Sequence, residues 1–148
     1  MNAITEVTNK TELKKVVYTA KTHTEGGRDG GMSRTSDGRL DVKLSVPGGA
    51  GTGTNPEQLF AVGWSACYLS AIKIVAAKKK VRLPADVAVD AEVDLCQSDD
   101  GYTLQARLNV SLPGLEREVA QAIVDASHLT CPYSKAMHGN IDVVTNLV

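Results

Sequence analysis

A chain of 148 residues with a net charge of −1 has the length of one domain and no electrostatic reason to bind nucleic acid or an acidic membrane surface. Hydrophobic residues at 43% and charged residues at 22% are ordinary globular proportions, which exclude a disordered chain. No segment approaches the roughly eighteen apolar residues of a membrane span, and the polar residues 1–15 lack the apolar core of a secretion signal, so the expected location is cytoplasmic and no membrane partner is expected. Three cysteines in such a compartment argue for chemistry or burial rather than a structural disulfide framework.

Taken in chain order, residues 1–12 read as a poorly ordered tail of a single domain spanning 1–148. Leu13, Val16 and Tyr18 then alternate weakly toward Thr24, which predicts a strand. Gly26-Gly27-Arg28-Asp29-Gly30-Gly31 is a loop by composition, and Ser36-Asp37-Gly38 signals a hairpin turn. The strand expected next places Leu40, Val42, Leu44 and Val46 on one face, ahead of a glycine-rich loop over 47–54.

Asn55-Pro56-Glu57 is a helix start: a capping side chain, a proline suited to the first helical position, and an acid at the positive helix end. The run continues to Lys80, apolar around most of its circumference, as a helix covered on more than one face would be. Residues 84–96 alternate with Val87, Val89, Ala91, Val93 and Leu95 inward. After a turn at Asp99-Asp100-Gly101, the return strand carries Tyr102, Leu104, Ala106, Leu108, Val110 and Leu112, completing a long hairpin. An amphipathic helix over 115–128, a short helix opening at Pro132 and a closing strand over 140–148 finish the chain. Strands and helices are segregated, so the fold class is α+β.

Cys67 falls inside the long helix and Cys131 just before Pro132, at a helix start where the dipole favours thiolate. Core packing is the plain alternative for Cys67 and a buried cap for Cys131; a dithiol/disulfide pair is the functional one. Cys96 shares a polar strand face with Asp90, Glu92 and Asp94, whose carboxylates disfavour thiolate, and it is given no catalytic role. There is no Cys-x-x-Cys and no His-Glu-x-x-His, so a zinc site is not expected.

A reactive thiolate needs a positive neighbour. Arg28, set among glycines, is the candidate, and Glu57 can hold its guanidinium through a bidentate pair. A solvated loop charge and simple helix-end stabilisation are the ordinary alternatives for these two. On one continuous helix Glu57 and Cys67 stand about 15 Å apart and roughly 80° out of phase. Either the helix breaks, for which Gly63 offers a place, or a second copy of the chain supplies Glu57; the second arrangement, a dimer with a shared site, is preferred.

Several separated motifs carry a family resemblance over the region from Tyr18 to the C-terminus. They are Gly26-Gly27-Arg28-Asp29-Gly30, Gly53-Thr54-Asn55-Pro56-Glu57-Gln58-Leu59-Phe60, Ser65-Ala66-Cys67, and Cys131-Pro132-Tyr133-Ser134 with Gly139-Asn140-Ile141-Asp142-Val143. In this order they resemble the organic hydroperoxide resistance (Ohr) proteins of the Ohr/OsmC family. The resemblance implies an OsmC-like α+β fold, with antiparallel sheets packed around a central long helix in an intertwined homodimer. It implies a thiol peroxidase in which Cys67 is the peroxidatic cysteine, Cys131 the resolving one, Arg28 the thiolate activator and Glu57 the residue that orients it. The implied substrates are alkyl and fatty-acid hydroperoxides. The implied reductant is an external dihydrolipoyl group, on a lipoylated protein or as dihydrolipoamide, with no bound cofactor.

Phe60, Trp64 and Tyr133 are the expected apolar wall for an alkyl chain, with ordinary core as their plainer role. Trp64 stands where a smaller aromatic is common in the family, which bears on pocket shape. Lys135, Met137 and His138 replace a more usual Asn, Thr and Arg, which bears on docking of the reductant. Two other readings keep the cysteine pair: a non-enzymatic thiol redox sensor, and an apolar-ligand-binding domain whose cysteines are structural.

Overall fold

A computed structural model describes residues 14–148; the tail expected over 1–12, and Leu13, lie outside the described residues. Three short strands open the fold: β1 (Thr22–Glu25), β2 (Met32–Thr35) and β3 (Asp41–Lys43), joined as an antiparallel sheet in the order β1-β2-β3. The strand expected from Val16 onward is confined to β1, and Val16, Val17 and Tyr18 are exposed. Weak alternation without a surface to bury against does not make a strand. The strand β2 has too little apolar content to have been anticipated. Of the apolar set expected next, only Leu44 is buried, just past β3, while Leu40 and Val46 are exposed.

The helix α1 (Pro56–Lys78) starts as its sequence predicts, with the Asn55 side chain accepting a 2.9 Å hydrogen bond from the Gln58 N–H. Trp64, Tyr68, Ala71, Ile72, Val75 and Ala76 form its buried face, while Val62 and Ile74 on other faces are exposed. The expectation that no segment reaches membrane-span dimensions needs correcting here. An 18-residue window of α1 has a mean hydropathy of 1.6, enough by length and composition to span, although the same is true of many core helices. Gly63, Ser65 and Ser70 interrupt the apolar run residue by residue but scarcely lower its average.

The long hairpin forms as β4 (Ala88–Ser98) and β5 (Gly101–Ser111), in unbroken antiparallel register from Ala88 opposite Ser111 to Ser98 opposite Gly101. The helix α2 (Arg117–Thr130) follows, then α3 (Pro132–Met137) and β6 (Asp142–Leu147). The second sheet has the order β4-β5-β6, and β6 runs parallel to β5, so this sheet is mixed rather than wholly antiparallel. Its inner face covers α1: Ala106, Leu108, Val110 and Leu112 are buried with Ile123 and Val124 of α2. The hairpin tip runs past that cover. Leu95 and Tyr102 keep the inward parity expected of them yet are exposed.

Candidate active site

Cys67 is set between two anchored neighbours on α1. Trp64, one turn before it, and Tyr68, the next residue, are both buried, while Cys67 is half-buried. Cys131 is completely buried at the corner between α2 and α3. Its N–H donates to the Ser127 carbonyl at 2.8 Å and its own carbonyl accepts from the Lys135 N–H at 3.0 Å, so it closes one helix and opens the next. Both are free thiols, and Cys131 is a close enough neighbour of Cys67, across the α1–α3 contact, to shift its titration. The two sulfurs singled out in the sequence are therefore brought together from positions far apart in the chain.

Burial pushes the Cys67 thiol pKa up, and the neighbouring Cys131 side chain pushes it further the same way; the Tyr133 backbone N–H draws it partly back. Among the described residues of one chain no cation offsets this. Arg28 instead pairs with Glu57, Nη2 to Oε1 at 2.5 Å, at the other end of the α1 stretch. The contact is single rather than the bidentate one expected, and among the described residues the buried Glu57 Oε2 meets no donor. The loop that presents Arg28 closes on itself through Gly31 N–H to Gly27 O at 3.0 Å. A side chain at Gly31 would overlap the backbone of Glu25 and Gly27, so glycine is required there.

The helix runs unbroken through Gly63, which removes helix breakage as a way to bring Glu57 to Cys67. Gly63 serves packing instead: a Cβ there would stand 3.0 Å from the Tyr133 hydroxyl. Tyr133 thus leans on α1 while part of its ring remains in solvent. Phe60 meets Trp64 edge-on at 5.5 Å between centroids and Tyr133 at 6.3 Å. Of the three aromatics expected as a wall, Trp64 lies behind the others, in the core, at 1% exposure.

A set of residues surrounds the Cys131 corner, of which the sequence singles out Trp64 and Ser134 but not His128, Thr145 or Tyr68. His128 Nδ1 stands 2.9 Å from Ser134 Oγ, and its Nε2 stands 2.7 Å from Thr145 Oγ1. The Trp64 indole N–H donates to the same Ser134 Oγ at 3.0 Å. The imidazole lies over Tyr68 at 4.6 Å, and the Tyr68 hydroxyl donates to the Val124 carbonyl at 2.9 Å. Burial lowers the His128 pKa, against a smaller opposing pull from Asp125, so the ring is neutral near pH 7. Burial likewise raises the Tyr68 pKa. A groove of about 470 Å³ borders this set between α2, α3 and β6, and neither cysteine of the pair lines it. The available signal was spacing: His128 and Ser134 stand three residues before and after Cys131.

Cys96 stays apart from this centre, half-buried on β4 opposite Thr103. Beside it Arg107 holds the Asp94 carboxyl down to about 2, assisted by Gln105, so Asp94 is ionised and paired with that guanidinium. Among the described residues no cluster of three His, Cys, Asp or Glu side chains converges as a metal site.

Two small sheets, a central helix and a cysteine pair across the α1–α3 contact define a class. The sequence model of the family described as OsmC-like protein matches residues 47–146, and the chain belongs to this Ohr/OsmC family. Within it, the chain is similar to the organic hydroperoxide resistance protein of Xanthomonas axonopodis pv. citri, at 45% identity over 90% of this chain and 96% of that one. The crystal structure of the organic hydroperoxide resistance protein OhrB of Bacillus subtilis superposes with a TM-score of 0.84 at 39% identity, covering 90% of this chain and 100% of that one. An organic hydroperoxide resistance protein from Legionella pneumophila gives the same TM-score of 0.84 at 42% identity, covering 90% and 98%.

Proposed function

We propose that this chain is a cysteine-based peroxidase that reduces alkyl and fatty-acid hydroperoxides to alcohols and is recycled by a dihydrolipoyl dithiol. The observation that carries the reading is the free, half-buried Cys67 thiol neighbouring the buried Cys131 across α1 and α3, beside an aromatic group with Tyr133 partly open to solvent. Relatives of the same fold are named organic hydroperoxide resistance proteins, which supports this substrate class.

The Cys67 thiolate attacks the terminal oxygen of the hydroperoxide. The O–O bond breaks, the alkoxide leaves and takes up a proton to become the alcohol, and Cys67 is left as sulfenic acid. Cys131 then displaces water from that sulfur to form a disulfide. A dihydrolipoyl group reduces it by two thiol–disulfide exchanges and is itself oxidised to the cyclic disulfide. Phe60 and Tyr133 favour an alkyl chain over hydrogen peroxide, each buried methylene contributing ~0.8 kcal/mol.

The first step needs a cation, because burial and Cys131 hold the Cys67 thiol in its protonated form. In this account a second copy of the chain supplies it: the partner subunit's Arg28, held by the partner's Glu57, stands over Cys67 in an intertwined homodimer. Three features favour that arrangement. Cys67 lies beyond reach of Glu57 on the unbroken helix. The sheet β1-β2-β3 is largely exposed in one chain. Val62, Ile74, Leu95 and Tyr102 present apolar surface that a single chain leaves in water.

Steady-state consumption of an alkyl hydroperoxide with excess dihydrolipoamide tests the reading, with hydrogen peroxide and a thioredoxin-type reductant run in parallel. Many turnovers with the alkyl substrate and the lipoyl dithiol are expected. Oxidation that stops at one equivalent per subunit would favour a redox sensor, and no Cys67 oxidation at all would favour a ligand-binding domain.

A further inference from the structure

The Cys131 corner is held by more than its own backbone. Its two backbone hydrogen bonds tie it to α2 through Ser127 and to α3 through Lys135, but neither bond fixes the angle between those helices. The bond that does so is the one between His128, in the last turn of α2, and Ser134, in the first turn of α3. It bridges the corner symmetrically, three residues to either side of Cys131. The same Ser134 oxygen receives the indole N–H of Trp64, which lies one turn from Cys67 on the same flank of α1. At its other nitrogen, His128 is anchored to Thr145 of β6. One hydroxyl thus joins the helix of the attacking sulfur to the corner of the other sulfur.

The direction of the protons follows from the requirement that buried donors find acceptors. Trp64 N–H donates to Ser134 Oγ, the Ser134 O–H donates to His128 Nδ1, and His128 Nε2–H donates to Thr145 Oγ1. In the opposite sense both Trp64 and His128 would donate to Ser134, and the serine proton would have no acceptor among the described residues.

We propose that His128 is a positioning residue for disulfide formation: through Ser134 it fixes the α2–α3 corner so that Cys131 meets the oxidised Cys67 sulfur. The inference rests on the peroxidase reading and extends it to the second chemical step. A disulfide tolerates only a narrow range of Cα separation and torsion, so a loose corner slows its closure. The reaction of Cys67 with peroxide touches the corner only through the Cys131 side chain and the Tyr133 N–H and needs no closure onto it, so it is affected less than disulfide formation.

The test follows both steps in single-turnover mixing of the reduced full-length chain with one equivalent of an alkyl hydroperoxide. Peroxide loss reports the first step, and decay of the trappable Cys67 sulfenic acid reports the second. Asn places an amide near the Nδ1 position and keeps a partner for Ser134; Gln reaches toward Nε2 and does not. His128→Gln and Ser134→Ala are expected to slow disulfide formation by about tenfold, the effect of one lost buried hydrogen bond. His128→Asn is expected to remain within about threefold of the wild-type rate. All three should consume the first equivalent of peroxide within about threefold of the wild-type rate, less than the slowing of the second step in His128→Gln and Ser134→Ala.

Wild-type disulfide formation in His128→Gln, or equal slowing in His128→Asn and His128→Gln, would overturn the inference. So would parallel loss of both steps, which marks a merely structural role. A wild-type chain that oxidises Cys67 but forms no disulfide with Cys131 would remove the resolving role itself. Failure of Cys67 to react with peroxide in the wild type would instead remove the peroxidase reading on which the inference rests.

Discussion

Cys67 and Cys131 differ in what their surroundings permit. Cys67 is half-buried and reachable, whereas Cys131 has no exposed surface and meets the other sulfur from inside the fold. Cys67→Ser is therefore expected to abolish peroxide consumption, and Cys131→Ser to permit one oxidation per subunit, to the sulfenic acid, and then stall, with a second equivalent of peroxide carrying it on to sulfinic acid, as read by intact-mass spectrometry. A Cys67→Ser chain that still turned over would end the assignment. His128 adds a pH dependence whose sign follows from its lowered pKa. The neutral ring contributes stability in full above the ordinary imidazole pKa of about 6.5, and loses it as the pH falls through the lower folded value. The wild-type melting temperature should fall more between pH 7 and pH 5 than that of His128→Asn, and equal slopes would sink the argument. The proposed reactive residues stood out in the sequence because their types are rare and their neighbours chemically matched. His128 was not, because a histidine's partners are hydroxyls brought in by other elements, and spacing alone does not reveal them.

Elements were readable where local chemistry and burial agree. The cap at Asn55, the hairpin parity from Val89 to Leu112 and the stop before Pro132 all combine a local signal with a covered face. At the N-terminal strands the apolar residues lack a surface within the chain, so alternation overstated β1 and missed β2. Gly63 shows the same limit inside a helix. Read alone it is a weak point, yet α1 passes through it and Tyr133 occupies the space left by the missing side chain. Gly63→Ala sets helix propensity, about 1 kcal/mol in favour of alanine, against displacement of the Tyr133 hydroxyl by a few tenths of an ångström. Because the Tyr133 ring is partly exposed it can yield, so the melting temperature should rise by about 2–4 °C. The displaced ring should also raise KM for a long-chain hydroperoxide. A lower melting temperature would mean that the Tyr133 contact outweighs the helix term.

At the scale of the whole molecule, one chain holds every residue of the proposed chemistry but not in one place. The sulfurs meet across α1 and α3, while Arg28 and Glu57 meet at the start of α1. The proposed two-fold dimer would resolve this, since each chain would then give its sulfurs to one site and its ion pair to the other. That division predicts complementation between two inactive variants, Arg28→Ala and Cys67→Ser. In a mixed dimer one site would lose both residues and the other would keep both. Co-refolding equal amounts, which yields mixed dimers for half of the population, should restore about a quarter of the wild-type rate of alkyl hydroperoxide reduction per chain. The single measurement that tests the shared site most directly is this rate in the co-refolded mixture. About a quarter of the wild-type value is predicted, and a rate no greater than the average of the two variants alone would contradict it.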